Sequence, residues 1–212
     1  MKKKTGDLKG KKWQKLPEEK IVMKTMEALG RNGINAYFAE SEEDAKKKIF
    51  EIIPENAEIM NMTSVTLDEL GVSKEILESE RYNAVRNKLI SMNKETQSSE
   101  MQKLGAAPDY AIGSAHAVTQ DGKIIIASAT GSQLPAYAYG ASKLIFVIGI
   151  QKIVKNLDEA MKRIYEYTFK LEDERAKKVY GIGSGVNKLL IINKEFQENR
   201  ISLIFVNKLI GF

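Results

Sequence analysis

Small hydroxyl residues and glycines cluster in three short segments that could hold a negatively charged ligand. They are residues 63–66 (Thr-Ser-Val-Thr), 128–133 (Ser-Ala-Thr-Gly-Ser-Gln) and 181–187 (Gly-Ile-Gly-Ser-Gly-Val-Asn), here called the threonine turn, the serine loop and the glycine loop. Hydroxyl and free backbone N–H groups are donors from which carboxylates and phosphates accept hydrogen bonds. The candidate ligand-binding residues are Thr63, Ser64, Thr66, Gly113, Ser114, Ser128, Thr130, Gly131, Ser132, Gln133, Gly183, Ser184, Gly185 and Asn187.

The threonine turn has two interpretations. It follows a predicted strand at residues 58–62 and precedes a predicted helix, so its hydroxyls and N–H groups could bind an anion. Alternatively, Ser64 or Thr66 caps that helix and binds nothing else. A strand-to-helix connection supplies caps whether or not a ligand binds, so both interpretations stay open.

His116 is the only histidine in the chain and the candidate catalytic residue. It follows a predicted strand at residues 110–114 and lies beside the serine loop, where it could act as a general acid or base. The alternative is a structural histidine held by hydrogen bonds. Several serines are candidate nucleophiles, but no pattern fixes one of them to His116, so no triad is predicted.

The chain has no cysteine and a single histidine. This composition excludes disulfides, iron–sulfur ligation by its own thiols, cysteine nucleophiles and zinc sites made of thiolates or several histidines. We therefore expect no metal site and no cofactor.

The glycine loop has the glycine spacing of a nucleotide-binding fingerprint but not its surroundings. The fingerprint needs a strand before it and a helix after it, whereas a charged helix precedes this loop and a strand follows. Its N–H groups could face an anion, or the loop could simply connect two elements. Acidic residues 172–174 in the preceding helix are expected to face solvent, and Arg175 could pair with them or with a ligand carboxylate.

Two apolar runs flank the serine loop and would position it. Residues 123–127 (KIIIA) and 144–148 (LIFVI) have no polar alternation, which is typical of strands buried on both faces. A polar loop that directly follows a buried strand is where α/β proteins usually bind ligands. We therefore expect the three segments to meet at one end of a sheet.

The other elements alternate between helix and strand, which predicts an α/β fold with a mixed, mostly parallel sheet. A helix is predicted from Pro17, and Ser41 with Asp44 is close to a capping box for the next. Asp121-Gly122 predicts a hairpin. Residues 73–107 are predicted to be helical, with a polar middle part covering the sheet edge, and two helices are predicted at 157–169 and 171–179.

Length and charge indicate one domain with a basic leader. The chain has 212 residues, 43% of them apolar, and a net charge of +5. Residues 1–16 carry seven lysines and one acid. Such a basic segment could contact nucleic acid or an anionic surface, but we expect a flexible, solvated lead-in to a domain at 17–212. Nucleic-acid motifs, a signal peptide and a membrane-length apolar run are not found, so we expect a cytoplasmic protein that binds neither nucleic acid nor membrane.

The order of several motifs resembles the lactate-utilisation (LUD) domain family. These motifs are Gly113-Ser114-Ala115-His116-Ala117-Val118, the Asp121-Gly122 turn, the serine loop, residues 147–154 (VIGIQKIV), residues 171–176 (LEDERA), the glycine loop and the threonine turn. The last helix and the glycine loop look like the C-terminal signature of its stand-alone members. The resemblance covers about residues 17 to 212.

This resemblance implies a three-layer fold similar to the ribose-phosphate isomerase, CoA-transferase and formyltetrahydrofolate cyclo-ligase group, with ligands at the carboxyl ends of the strands. Gln120 stands where many relatives carry a glutamate, which counts against a covalent CoA-transfer mechanism because an amide cannot act as that nucleophile. Larger lactate-utilisation subunits carry iron–sulfur clusters, so any redox centre would belong to a partner. A homodimer is a further candidate assembly.

Three functions follow from these observations. The first is a binding or accessory protein for a small anionic metabolite, a carboxylate or a phosphorylated compound, in organic-acid use. The second is an isomerase or acyl-transfer enzyme with His116 as acid or base and hydroxyls as oxyanion donors. The third is an interaction subunit docked on an iron–sulfur protein. Composition does not separate them, and we expect the first.

Overall fold

The computed structural model describes Gly10 and residues 12–212 of the chain. The prediction of a flexible leader therefore falls mostly outside the described residues. Trp13, however, is buried against Ala160 and Ile164 in one of the core clusters.

The main sheet has six parallel strands in the described part of the chain. Its order is β1 (Asn35–Ala39), β10 (Ile201–Val206), β7 (Lys143–Gly149), β4 (Tyr110–Gly113), β2 (Glu58–Asn61) and β3 (Asn83–Ala84). Every pairing between neighbours in this sheet is parallel. The carboxyl ends of these strands therefore lie on one edge, which is where the sequence places several of its polar turns.

The alternation of side chains along β7 explains the three layers. Leu144, Phe146 and Ile148 belong to the core cluster on one face of the main sheet, and Ile145 and Val147 belong to the cluster on the other. A strand with both faces covered needs a continuous apolar sequence, as observed here. The predicted three-layer α/β class is confirmed.

Helices supply most of both outer layers. They are α1 (Glu19–Arg31), α2 (Glu42–Ile52), α3 (Val65–Glu69), α4 (Val72–Glu78), α5 (Val85–Ser91), α6 (Ser98–Ala106), α7 (Leu157–Arg163) and α8 (Phe169–Tyr180). The capping box predicted at Ser41 and Asp44 is present at the start of α2. No helix of the described residues is both long and apolar enough to cross a membrane.

A second, four-stranded sheet packs beside the main one. Its order is β8 (Ile153–Val154), β5 (Ala117–Thr119), β6 (Ile124–Ser128) and β9 (Lys188–Ile192). The predicted hairpin between β5 and β6 is present, and β9 extends it in antiparallel fashion. The two apolar runs that flank the serine loop thus lie in different sheets. An apolar run indicates a strand that is buried on both faces, and both sheets bury their strands in this way. It does not indicate which strand is its neighbour in the sheet.

The helical regions also differ from expectation. The two helices predicted at 157–169 and 171–179 form one continuous helix, because α7 and α8 are joined by a π-helical turn, Ile164–Thr168, with no glycine or proline to break it. Asn156 caps its start, where its Oδ1 accepts from the Glu159 N–H at 3.0 Å. Residues 73–107 contain three helices and the short strand β3, whose two residues are too few for a sequence pattern to reveal.

Candidate functional site

A cavity of about 1280 Å³ opens at the carboxyl ends of the main sheet. Its wall includes residues that directly follow β2, β4 and β7, together with the end of β6 from the second sheet. Parallel strands bring their carboxyl ends to one edge, so segments far apart in sequence meet here. Helices α5 and α6, with the polar stretch between them, close one side of the cavity.

Thirteen of the fifteen residues predicted for the site line this cavity. They are His116, Thr63, Ser64, Thr66, Ser114, Ser128, Thr130, Gly131, Ser132, Gln133, Gly183, Ser184 and Gly185. The structure therefore brings together the threonine turn, the serine loop and the glycine loop.

Gly113 and Asn187, the other two predicted residues, lie behind the wall and shape it. A Cβ atom on Gly113 would lie 1.8 Å from the Tyr137 hydroxyl oxygen, so the glycine makes room for this buried tyrosine, which itself lines the cavity. Asn187 donates a side-chain hydrogen bond to the Ala129 carbonyl and a backbone one to the Ser128 carbonyl. It thereby ties the glycine loop to the serine loop.

Lys152 lies at the base of the cavity and was not among the residues predicted for the site. It ends the short 3-10 turn Ile150–Lys152 that follows the central strand β7, and its side chain is only 1% exposed. Its Nζ atom donates to Thr66 Oγ1 at 3.0 Å and to Ser114 Oγ at 3.2 Å. Both hydrogen-bond partners among the described residues are neutral hydroxyls, so no carboxylate contacts the amine directly.

The surroundings of Lys152 favour its uncharged form. Burial, and secondly the nearby Arg163 guanidinium, lower the pKa of Lys152 to about 7, although Glu69 opposes this shift. Gly211 packs closely over the amine, because a Cβ atom there would lie 3.1 Å from Nζ and 2.2 Å from Thr66 Oγ1. The uncharged amine is therefore more populated near neutral pH than it is for an exposed lysine.

Arg163 is a second buried cation near the site. It is 0% exposed, and its Nη1 donates to the His116 carbonyl and to Thr168 Oγ1. Its Nε and Nη2 atoms are buried without a hydrogen-bond partner among the described residues. Burial lowers the pKa of Arg163 to about 10, which still leaves it charged at neutral pH.

His116 accepts a hydrogen bond on its ring, which limits its chemistry. The Ala127 N–H donates to His116 Nδ1 at 3.1 Å, so the neutral ring carries its proton on Nε2. Burial, and then the positive charges of Lys152 and Arg163, lower the pKa of His116 to about 3. At neutral pH the ring is uncharged and a poor base, and its predicted catalytic role stays a prediction.

The threonine turn caps a helix, and two basic side chains also contact it. Ser64 caps α3 by accepting from the Leu67 N–H, as the simpler interpretation expected. Arg86 donates from Nε to the Asn61 carbonyl and from Nη2 to Thr63 Oγ1, at 2.9 Å. The turn therefore contacts two basic side chains, Arg86 through the Thr63 hydroxyl and Lys152 through the Thr66 hydroxyl.

The serine loop is ordered by its own hydrogen bonds. Ser128 Oγ donates to Gln133 Oε1 at 3.0 Å and accepts from the Gly131 N–H at 2.8 Å. Thr130 Oγ1 donates to Ser132 Oγ. Gly131 adopts φ +86°, a conformation that L side chains rarely take. The loop presents a preformed polar wall to the cavity.

The glycine loop already binds one carboxylate of its own chain. Asp173 Oδ1 accepts from the Ser184 N–H at 2.9 Å, and a Cβ atom on Gly183 would lie 2.4 Å from the same oxygen. Asp173 also pairs with Lys177, so it does not simply face solvent as predicted. The contact shows that the backbone of this loop suits an acidic group.

Two further expectations concern Arg175 and Gln120. Arg175 forms a bidentate pair with Glu172, at 2.7 and 2.8 Å, which raises the pKa of Arg175 and engages it within its own helix. Gln120 lies in the β5–β6 hairpin, where its N–H donates to the Val154 carbonyl. It is not among the described residues that line the cavity, so its amide has no part in the site.

The wall of the cavity carries an excess of positive charge. Its basic residues are Arg86, Lys94, Lys152 and Arg175, and its acidic residues are Asp68 and Glu172. Since Glu172 pairs with Arg175, the other three basic residues face a single exposed acid. Groups of acidic and histidine side chains that could hold a metal ion do not occur in the described part of the chain.

Comparisons with known proteins agree with this architecture. Residues 22–206 match the model of the LUD domain family. The crystal structure of a DUF162 family protein from Deinococcus radiodurans at 1.70 Å resolution is similar, with a TM-score of 0.57 and 12% sequence identity. The similar region covers 91% of this chain and 100% of that chain, and at this identity it shows the fold alone. The comparison with curated proteins gave no match.

Proposed function

This chain belongs to the LUD domain family, and we propose that it binds a small carboxylate or phosphorylated metabolite in the cavity as a component of organic-acid utilisation of the lactate type. The family supports the general connection to lactate utilisation. The ligand class rests on the charges and donors of the site. A partner protein with an iron–sulfur cluster and a homodimer stay predictions from the resemblance.

The excess of positive charge on the cavity wall carries this proposal. Lys152 and Arg86 contact hydroxyl and carbonyl oxygens only, among the described residues. Buried or half-buried cations are usually paired with anions, because the loss of hydration is otherwise costly. An anionic ligand would supply the missing charge.

The threonine turn links the two cations and gives the anion a defined place. Arg86 holds the Thr63 hydroxyl and Lys152 holds the Thr66 hydroxyl, so a ligand that contacts this turn lies between them. A guanidinium can bind a carboxylate or phosphate through two parallel hydrogen bonds. The hydroxyls of the turn and of the serine loop would complete the contacts.

Isothermal titration calorimetry with L-lactate, pyruvate, inorganic phosphate and ribose 5-phosphate tests the proposal. We expect at least one of these anions to bind, and Arg86→Gln to weaken it about 10- to 100-fold, since a hydrogen bond to a charged group is worth about 1.5–3 kcal/mol. Arg31→Gln is the matched control, because Arg31 is exposed at the end of α1. Equal affinity in wild type and Arg86→Gln, or no binding at all, would contradict the proposal.

A further inference from the structure

Lys152 offers a reactive group that anion binding alone does not require. Its Nζ atom lies at the base of a cavity large enough for a metabolite, and its side chain is 1% exposed. The atom is held at 3.0 and 3.2 Å by the hydroxyls of Thr66, in the helix α3 that follows β2, and of Ser114, which directly follows β4. This arrangement fixes the amine while leaving it without a carboxylate partner among the described residues.

We propose that the Lys152 amine forms an imine with the carbonyl carbon of a small anionic oxo compound bound in the cavity. This inference rests on the proposed function, since the anionic group of the ligand must first bind near the threonine turn. A lysine becomes a nucleophile toward carbonyls when an apolar or like-charged environment removes its proton. Both conditions hold here, because Lys152 is buried and Arg163 lies close enough to lower its pKa.

The reaction balances without any oxidant or reductant. The Nζ lone pair forms a C–N bond while the C=O π bond breaks, and one proton passes from Nζ to the former carbonyl oxygen to give a neutral carbinolamine. Uptake of one proton from solvent and loss of the hydroxyl as water then leave a protonated imine. Thr66 and Ser114 hydroxyls already contact Nζ and each other, at 3.3 Å, so they are placed to pass protons during these steps.

Neighbouring groups fit the protonated imine as well as the free amine. The site offers hydroxyl oxygens as acceptors on one side and the backbone of Gly211 on the other. The carboxylate or phosphate of the bound compound would lie beside the positive charge of the imine and compensate it. This compensation is missing in the protein without ligand.

Trapping with sodium cyanoborohydride tests the proposal, because it reduces an imine to a stable secondary amine that mass spectrometry detects. The probes are two matched pairs, pyruvate with L-lactate and dihydroxyacetone phosphate with glycerol 3-phosphate. Within each pair the anionic group is the same and only the first member has a carbonyl. The two pairs distinguish an oxo acid from a phosphorylated oxo compound.

We expect one carbonyl compound to label Lys152 at least tenfold more than any other lysine, and its alcohol partner to leave the protein unlabelled. Lys152→Arg keeps the positive charge but has no nucleophilic amine, and is expected to bind the same anion in calorimetry without being labelled. Lys74→Met removes an exposed lysine that does not line the cavity and is expected to be labelled like wild type.

The outcomes separate this inference from the proposed function. Binding of the carbonyl compounds in calorimetry without labelling of Lys152 would overturn the imine and leave anion binding intact. The imine would also be overturned if the label is spread evenly over surface lysines. The same holds if Lys152→Arg is labelled at another position to the same extent as wild type. Absence of binding by all four probes would overturn the proposed function itself.

Discussion

Replacing Lys152 with methionine is expected to change how the stability of the protein depends on pH. The pKa of Lys152 falls from 10.5 in the unfolded chain to about 7 in the folded protein. Between these values the unfolded chain binds more protons than the folded one, so the free energy of unfolding rises with pH. Methionine fills a similar volume and removes this dependence.

The size of the effect follows from the two pKa values. Each pKa unit corresponds to about 1.36 kcal/mol, so burying the charged amine costs about 5 kcal/mol well below pH 7. At pH 9.5 the remaining cost is roughly 1–2 kcal/mol by the same relation. The stability of Lys152→Met relative to wild type should therefore be about 3 kcal/mol more favourable at pH 6 than at pH 9.5.

Urea denaturation at pH 6 and pH 9.5 measures this difference directly. Any loss of packing or of the two hydroxyl contacts lowers the free energy of unfolding of Lys152→Met equally at both pH values. Only the difference between pH 6 and pH 9.5 therefore measures the cost of the buried charge. Lys74→Met is the control, because the Lys74 side chain is 75% exposed and should show no such dependence. A stability difference that stays constant across this pH range would refute the description of Lys152 as an uncompensated buried amine.

Three further substitutions test other parts of the site. Wild type should lose stability as the pH falls from 6.5 toward 3, because the pKa of His116 is lowered to about 3. In urea denaturation at pH 4.5, His116→Asn should be spared roughly 2–3 kcal/mol of this loss. Gly113→Ala should destabilise the protein by about 1–3 kcal/mol, since its new methyl group would collide with the Tyr137 hydroxyl. Asp173→Asn should speed amide hydrogen exchange at Ser184 severalfold, because the charged acceptor of that N–H is lost.

Two substitutions elsewhere in the chain serve as controls. Gly30→Ala adds a methyl group in α1 where nothing lies within 4 Å, and should stabilise slightly. Glu174→Gln changes an exposed neighbour of Asp173 and should leave the exchange unaffected. If His116→Asn loses as much stability as wild type at low pH, the burial of an uncharged His116 is contradicted. Unchanged stability in Gly113→Ala would contradict the close packing of Tyr137 on Gly113. An unchanged exchange rate at Ser184 in Asp173→Asn would contradict the hydrogen bond to Asp173.

The convergence of the three polar segments could be predicted from the sequence because it follows from topology. Runs without polar alternation, such as residues 144–148, indicate strands covered on both faces, and parallel strands end at one edge. Local signals were equally informative where the structure depends on a few neighbouring residues. The capping box at Ser41 and the hairpin at Asp121-Gly122 are examples.

The charges at the base of the cavity could not be predicted in this way. A lysine is mostly exposed in proteins, and nothing local to Lys152 shows that Thr66, Ser114 and Gly211 enclose it. Its position just after the central apolar run was the one available signal. Arg163 was hidden for the same reason, since its burial depends on how the long helix packs on the second sheet.

A crystal structure of the protein grown with pyruvate would show whether an anionic oxo compound binds next to Lys152. We expect electron density for pyruvate in the cavity, with its carboxylate at the threonine turn near Arg86 and its carbonyl carbon next to Lys152 Nζ. Density confined to the outer surface, or an empty cavity in which a carboxylate of the protein itself pairs with Lys152, would contradict this expectation.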